Sequence, residues 1–145
     1  MDAIRVKKLK PNAILPTYGS AEAAGADLYA CLDGKIEIKP GESVFVPTGL
    51  AMEIPKGYAG LIYARSGLAC KRGLAPANKV GVIDSDYRGE FIVVLHNHGS
   101  QPQEIDHGER IAQLVIAPVF TPGFAEVAEL SDTTRSAGGF GSTGK

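Results

Sequence analysis

The stretch Gly81-Val82-Ile83-Asp84-Ser85-Asp86-Tyr87-Arg88-Gly89-Glu90 crowds two aspartates, a phenol and a guanidinium between two apolar runs. It reads as a hairpin with a polar tip. An aspartate at the mouth of a pocket can serve as a general base, provided a water or hydroxyl stands within hydrogen-bond reach. Tyr87, facing the same mouth, can pack against a sugar or base ring. The plainer alternative is a solvated turn, because Asp, Ser and Gly are ordinary turn formers.

Three more clusters carry groups suited to an anionic ligand. In Ala64-Arg65-Ser66-Gly67-Leu68 a guanidinium precedes a possible helix start. Arginine forks onto phosphate oxygens, serine offers a hydroxyl, and amides at a helix start face anions. A capped short helix is the plainer alternative. In Ala23-Ala24-Gly25-Ala26-Asp27-Leu28 a carboxylate sits among small residues. It either caps a turn that leads into a strand or faces a hydrated cation. Magnesium keeps several waters and takes only one or two carboxylates, so Asp27 would act through water. In Gly108-Glu109-Arg110-Ile111-Ala112-Gln113-Leu114, period-2 alternation places Gln113 on one face with Ile111 and Val115. An amide on an apolar face needs a partner: it is a satisfied core glutamine, or it orients a water or a phosphate.

The tail Gly138-Gly139-Phe140-Gly141-Ser142-Thr143-Gly144-Lys145 matches G-x-x-x-x-G-K from Gly139 onward. A phosphate-binding P-loop must follow a strand, open a helix and carry Ser or Thr after its lysine. None of these is present, so a P-loop is not expected. Glycines still let backbone approach a ligand closely. Phe140 is unusual in so polar a setting and suits an arm that folds over a flat base. A solvated tail is the plainer alternative.

The elements that must position these groups read as short strands. Alternating or β-rich runs fall at Ile4 to Leu9, Lys35 to Lys39, Ser43 to Val46, Gly60 to Tyr63, Val80 to Ile83, Glu90 to Leu95 and Ile111 to Val119. Pro40-Gly41 and Pro47 are expected to end two of them. A single short helix is predicted over Ser66 to Arg72, with Ser66 as N-cap and Gly73 closing it. Many short strands without long helical periods predict an all-β barrel or sandwich. From about Ser131 the chain turns rich in Ser, Thr and Gly, which predicts a mobile arm.

Bulk properties narrow the classes. The chain has 145 residues and 44% hydrophobic content, enough for one domain with a core. With 15 Lys plus Arg against 16 Asp plus Glu, net charge is -1, which argues against a protein that coats nucleic acid. Cys31 and Cys70 form no C-x-x-C, so reduced, partly buried thiols are expected. His96, His98 and His107 have no metal-ligand spacing and read as surface or strand-facing residues. No run approaches the length of a membrane span and no leader is evident, so a soluble cytoplasmic protein is expected, without a membrane partner.

Taken together, five blocks resemble those of the all-β deoxyuridine triphosphate pyrophosphatases, the dUTPases. They are AGADL at 24–28, RSGL at 65–68, GVIDSDYRGE at 81–90, GERIAQ at 108–113 and RSAGGFGSTG at 135–144. The order and the near-complete span make the resemblance specific. It implies a jelly-roll-like β-barrel of the β-clip type, residues 1–130, and a flexible Gly-rich C-terminal arm, residues 131–145, that closes over the active site. It implies a homotrimer with sites at subunit interfaces and Mg²⁺ as cofactor. The implied reaction is dUTP plus water giving dUMP and pyrophosphate, which keeps uracil out of DNA and supplies dUMP for thymidylate synthesis.

The resemblance also implies roles. Asp84 is the general base that contacts the 3'-hydroxyl and the attacking water, and Gln113 positions that water and the α-phosphate. Arg65, Ser66 and Gly67 bind phosphate oxygens, and Asp27 meets the water shell of the metal. Asn78, Gly81, Val82 and Ile83 surround uracil, with Ile92 across the hairpin, while Tyr87 stacks beneath the deoxyribose and leaves no room for a 2'-hydroxyl. Phe140 covers the base, Arg135 reaches the γ-phosphate, and Gly141, Ser142 and Thr143 bond the outer phosphates. A dCTP deaminase of the same fold and a non-catalytic nucleotide sensor are the rival readings.

Overall fold

A computed structural model describes residues 3–140. In chain order the strands are β1 (Arg5–Lys8), β2 (Thr17–Tyr18), β3 (Ala26–Tyr29), β4 (Ile36–Ile38), β5 (Ser43–Glu53) and β6 (Tyr58–Tyr63). After the one helix among the described residues, α1 (Ser66–Arg72), come β7 (Leu74–Pro76), β8 (Gly81–Ile83), β9 (Glu90–Asn97), β10 (Gln103–Ile105) and β11 (Arg110–Pro118). They form a four-stranded sheet β1-β5-β9-β7, a five-stranded sheet β2-β3-β11-β6-β8 and a β10-β4 pair. The all-β class and the single short helix expected from the sequence are therefore both present.

Period-2 alternation builds the core. On β9, Phe91, Val93 and Leu95 are buried while Ile92 is exposed, because successive side chains point to opposite faces of a strand. They meet Val46, Leu50 and Met52 of β5, with Leu28, Ile62, Ala112 and Leu114 of the five-stranded sheet completing one apolar cluster. Fully burying a side chain such as Leu95 contributes roughly 1.5–3 kcal/mol. Two polar side chains are fully buried and fully bonded. Thr48 donates to the Phe91 carbonyl at 2.6 Å. The Asn97 amide nitrogen donates to Ile38 and Gln101 carbonyls at 2.9 and 2.8 Å, tying the β9 end to β4.

Several local expectations need correction. β5 does not stop at Pro47; it runs on to Glu53 through an irregularity between Pro47 and Ala51. Gly49 makes that passage possible: its φ is +69°, and a Cβ there would lie 2.9 Å from the Ala13 Cβ and the Cys31 Sγ. β8 and β9 do not form a hairpin, since β8 pairs with β6 and β9 with β5 and β7. Residues 84–89 thus carry the chain from one sheet to the other. The β11 alternation is broken by a bulge between Arg110 and Ala112, so Ile111 is buried with Ala112 and Leu114 while Gln113 faces away. Arg65, in extended conformation, is the α1 N-cap without a side-chain bond, and Ser66 is the first helical residue. Gly73 closes the helix in the left-handed conformation as expected, its N–H bonded to the Leu68 carbonyl. Of the two free thiols, Cys31 is buried and Cys70 is exposed.

The last strand ends at Pro118, and the Val119 N–H donates to Gly57 at 2.9 Å. Beyond it Phe120, Phe124 and Leu130 are 95%, 102% and 87% exposed. Residues 120–140 therefore leave the body of their own chain.

Candidate active site

Asp27, on β3, is the hub of one cluster. It is opposite Gln113 of β11, which is in turn opposite Tyr63 of β6. Two residues past Tyr63 the chain reaches Arg65, whose Nε donates to Asp27 Oδ1 at 2.6 Å. Arg110 approaches the other carboxylate oxygen at 3.4 Å. Asp27 is 8% exposed, and this pairing is what permits a carboxylate so deep. The same bond fixes the Arg65 fork while leaving its terminal nitrogens without a partner among the described residues. Arg72 differs: it is spent on Gln103, Glu109 and the Glu104 carbonyl. Gln113 donates from Nε2 to the Ala64 carbonyl at 2.8 Å. Ser66 and Gly67 are exposed beside this cluster, and a Cβ on Gly67 would meet nothing. Nothing among the described residues requires glycine there.

The second cluster is the link from β8 to β9. The Tyr87 N–H donates to the Asp84 carbonyl at 3.2 Å, which shapes the turn. Arg88 Nη1 donates to the Ser85 and Tyr87 carbonyls at 2.7 and 2.9 Å. The Tyr87 hydroxyl donates to the Glu90 carbonyl at 2.9 Å, and its ring lies 6.2 Å from that of Phe91, tilted by 40°. The ring covers Gly89 so closely that a Cβ there would lie 2.3 Å from the hydroxyl oxygen. Asn78 lies against Gly81, with Nδ2 3.5 Å from where a Gly81 Cβ would be. Val82 and Ile92 are exposed, and Ile83 is half-buried. Asp84 is exposed, and no ion pair or side-chain hydrogen bond among the described residues engages its carboxylate.

One chain does not bring the two clusters together. Ile83 pairs with Gly60, which places Asp84 beside Ala59 on β6. From Ala59 to Arg65, six residues of strand rise cover about 20 Å. From Asp84 to Gln113, four residues of rise and two strand spacings give about 16 Å. The clefts differ accordingly. Asp84 shares one with Lys56, Tyr58 and Arg88, whereas Arg65 shares another with Tyr29, Lys71 and Arg110.

In the tail, Arg135 turns back on its own segment, its Nε donating to the Gly138 carbonyl at 2.8 Å. Phe140 is fully exposed. Gly141, Ser142 and Thr143 lie outside the described residues. Arg110 was not singled out from the sequence, although it stands inside the GERIAQ block. Only the pairing of β3 with β11 reveals its carboxylate partner.

An all-β sandwich carrying a forked cation cluster and an unpaired aspartate beside a tyrosine has the equipment of a nucleotide-hydrolysing protein. The dUTPase family model matches residues 11–144, and the chain belongs to the dUTPase family. It is 51% identical over 141 residues to the deoxyuridine 5'-triphosphate nucleotidohydrolase of Syntrophotalea carbinolica, covering 97% of this chain and 96% of that one. To the enzyme of the same name from Nautilia profundicola it is 54% identical over 142 residues, covering 98% and 99%. Among solved structures, it resembles a mutant dUTPase of Staphylococcus bacteriophage 80alpha with dUpNHpp at 29% identity and TM-score 0.91, each chain covered completely. A mutant dUTPase of phage phi11 of S. aureus, described with a structural Mg(II) ion, matches at 27% identity and TM-score 0.80, covering 88% of this chain and 98% of that one.

Proposed function

We propose that the chain hydrolyses dUTP to dUMP and pyrophosphate at a site composed of two half-sites from neighbouring copies. The observation that carries this reading is the contrast between the two aspartates. Asp27 is held by two arginines, whereas Asp84 keeps its carboxylate unpaired beside Tyr87. Of these two, Asp84 is the one placed to take a proton.

Water attacks the α-phosphorus, its proton passes to Asp84, and the bond to the bridging oxygen of the leaving pyrophosphate breaks. Gln113 aligns that water against the α-phosphate. The terminal nitrogens of Arg65, with Ser66 and Gly67, hold phosphate oxygens; such preorganised donors stabilise the transition state without reorganising. Backbone around Asn78, Gly81, Val82 and Ile83, with Ile92 nearby, reads the uracil edge. Cytosine would leave donors facing donors, at a cost of about 1–3 kcal/mol per unmatched group. Tyr87 lies under the deoxyribose and excludes a 2'-hydroxyl. Residues 131–145 act as the lid, with Phe140 over the base and Arg135, Gly141, Ser142 and Thr143 on the outer phosphates. Hydrolysis of this nucleotide keeps uracil out of DNA and supplies dUMP for thymidylate synthesis.

Magnesium suits this site as part of the substrate. Among the described residues no group of three His, Cys, Asp or Glu side chains is placed to hold a metal ion. Asp27 keeps lone pairs beyond its two arginine contacts and can receive water from the shell of a triphosphate-bound ion. Such an ion, when bound, neutralises charge on the phosphates. Free thiols at Cys31 and Cys70 support a reducing compartment, the cytosol.

The separation of about 16–20 Å between clusters supports assembly, since one chain cannot place Asp84 and Gln113 on one water. A cyclic trimer in which the phosphate cluster of one copy faces the Asp84 turn of the next would close the gap. Mixing Asp84→Asn with Gln113→Ala chains tests it. After joint refolding, random trimers should regain roughly a quarter of wild-type pyrophosphate release, one site in four having both intact halves. Recovery no greater than the sum of the separate variants sinks the composite site. Ammonia release from dCTP, or tight dUTP binding without turnover, would favour the deaminase or the sensor instead.

A further inference from the structure

Gly25, immediately before β3, is half-buried and does not have the left-handed φ that favours glycine. Its neighbours Ala24 and Ala26 both carry a Cβ. Backbone conformation therefore gives no reason for glycine at 25. Space does. A Cβ at position 25 would lie 2.6 Å from Gln113 Oε1, 3.1 Å from Gln113 Cβ and 3.2 Å from Gln113 Cδ. The Gln113 amide thus lies flat over the bare Cα of Gly25. Its other end is tied down by the Nε2 bond to the Ala64 carbonyl at 2.8 Å. With the nitrogen fixed on Ala64, Oε1 is left as an acceptor next to Gly25, on the face of β11 that carries no core residue.

We propose that Gly25 is a positioning residue that acts through Gln113, its missing side chain holding the Gln113 amide in the one rotamer that aligns the attacking water. The proposal rests on the catalytic reading of Gln113. A methyl at 25 cannot coexist with that rotamer, since no real Cβ sits 2.6 Å from an amide oxygen. The Gln113 side chain must shift by several tenths of an ångström, which moves Oε1 and strains its bond to Ala64. Misplacement approaching an ångström costs up to about 100-fold in rate. Asp27 and Arg65, bonded to each other and not to Gln113, stay in place. Phosphate binding is therefore preserved while the chemical step slows.

The test is a double-mutant cycle on the full chain with dUTP, scored as pyrophosphate release, with dUpNHpp binding measured by calorimetry. Gly25→Ala should lower kcat about 10- to 100-fold with KM and analogue affinity within about threefold. In a Gln113→Ala background, Gly25→Ala should add less than about twofold, because the group it displaces is gone. Full-rate Gly25→Ala beside an impaired Gln113→Ala overturns the proposal alone, as does an undiminished Gly25→Ala effect in the double variant. Full-rate Gln113→Ala overturns the catalytic reading of Gln113 and this proposal with it. A Gly25→Ala chain that fails to fold or to bind dUpNHpp also overturns it, because the glycine is then a requirement of β3 itself.

Discussion

The Asp84 turn and the Asp27 cluster are held together in opposite ways. The Asp84 turn is fastened by contacts within three residues along the chain: Arg88 to Ser85 and Tyr87, and Tyr87 to Glu90. The Asp27 cluster is fastened across 38, 49 and 83 residues, by Arg65 to Asp27, Gln113 to Ala64 and Arg110 to Asp27. A local turn of this kind keeps its geometry wherever the strands carry it. The long-range cluster exists only when β3, β6 and β11 are already side by side. Variants in the first should change chemistry and spare stability, whereas variants in the second should change both.

Asp84→Asn breaks the comparison most sharply. It should lower kcat by roughly a thousandfold while dUTP still binds and the melting temperature holds, measured by steady-state kinetics and thermal denaturation. A loss of folding would show that the turn is not locally determined. Ending the chain after Glu129 should come next. Activity should fall about 100-fold in a body that melts as before, because Pro118 closes the last strand and residues 130–137 are exposed. Undiminished turnover by the shortened chain would remove the lid.

Asp27→Asn should sharpen the other side. It leaves Arg65 and Arg110 without their shared charge and should cost about 1–3 kcal/mol of stability by urea unfolding, together with about tenfold in kcat. A variant as stable as the parent would show that the ion pair does not organise the cluster. Arg88→Ala should have the smallest effect. Releasing the Ser85 and Tyr87 carbonyls should lower kcat by about three- to tenfold without moving the urea midpoint. A shift in that midpoint would mean that Arg88 acts through its distant neighbour Glu53.

Legibility followed the same division. Residues 81–90 could be read as one polar turn because its groups are contiguous, although the flanking strands pair with β6 and β5 rather than with each other. The turn chemistry of Asp, Ser and Gly looks alike whether the flanking strands pair with each other or join different sheets. The helix over Ser66 to Arg72 was equally visible from its cationic end and its closing glycine. The β3 strand was obscured by small residues and a carboxylate, and the face of Gln113 by the bulge at Arg110. A one-residue irregularity reverses inside and outside, and alternation counted along the chain cannot detect it.

By itself the sequence determined the β class, the short helix and the inventory of reactive groups, since strand period, caps and turn residues act over a few neighbours. The tertiary structure decided that, among the described residues, Asp27 is paired and Asp84 is not, that the Gln113 amide lies against Gly25, and that the Asp27 and Asp84 clusters lie at separate places on one chain. Those facts depend on sheet order and register, which arise from burial between residues far apart in sequence.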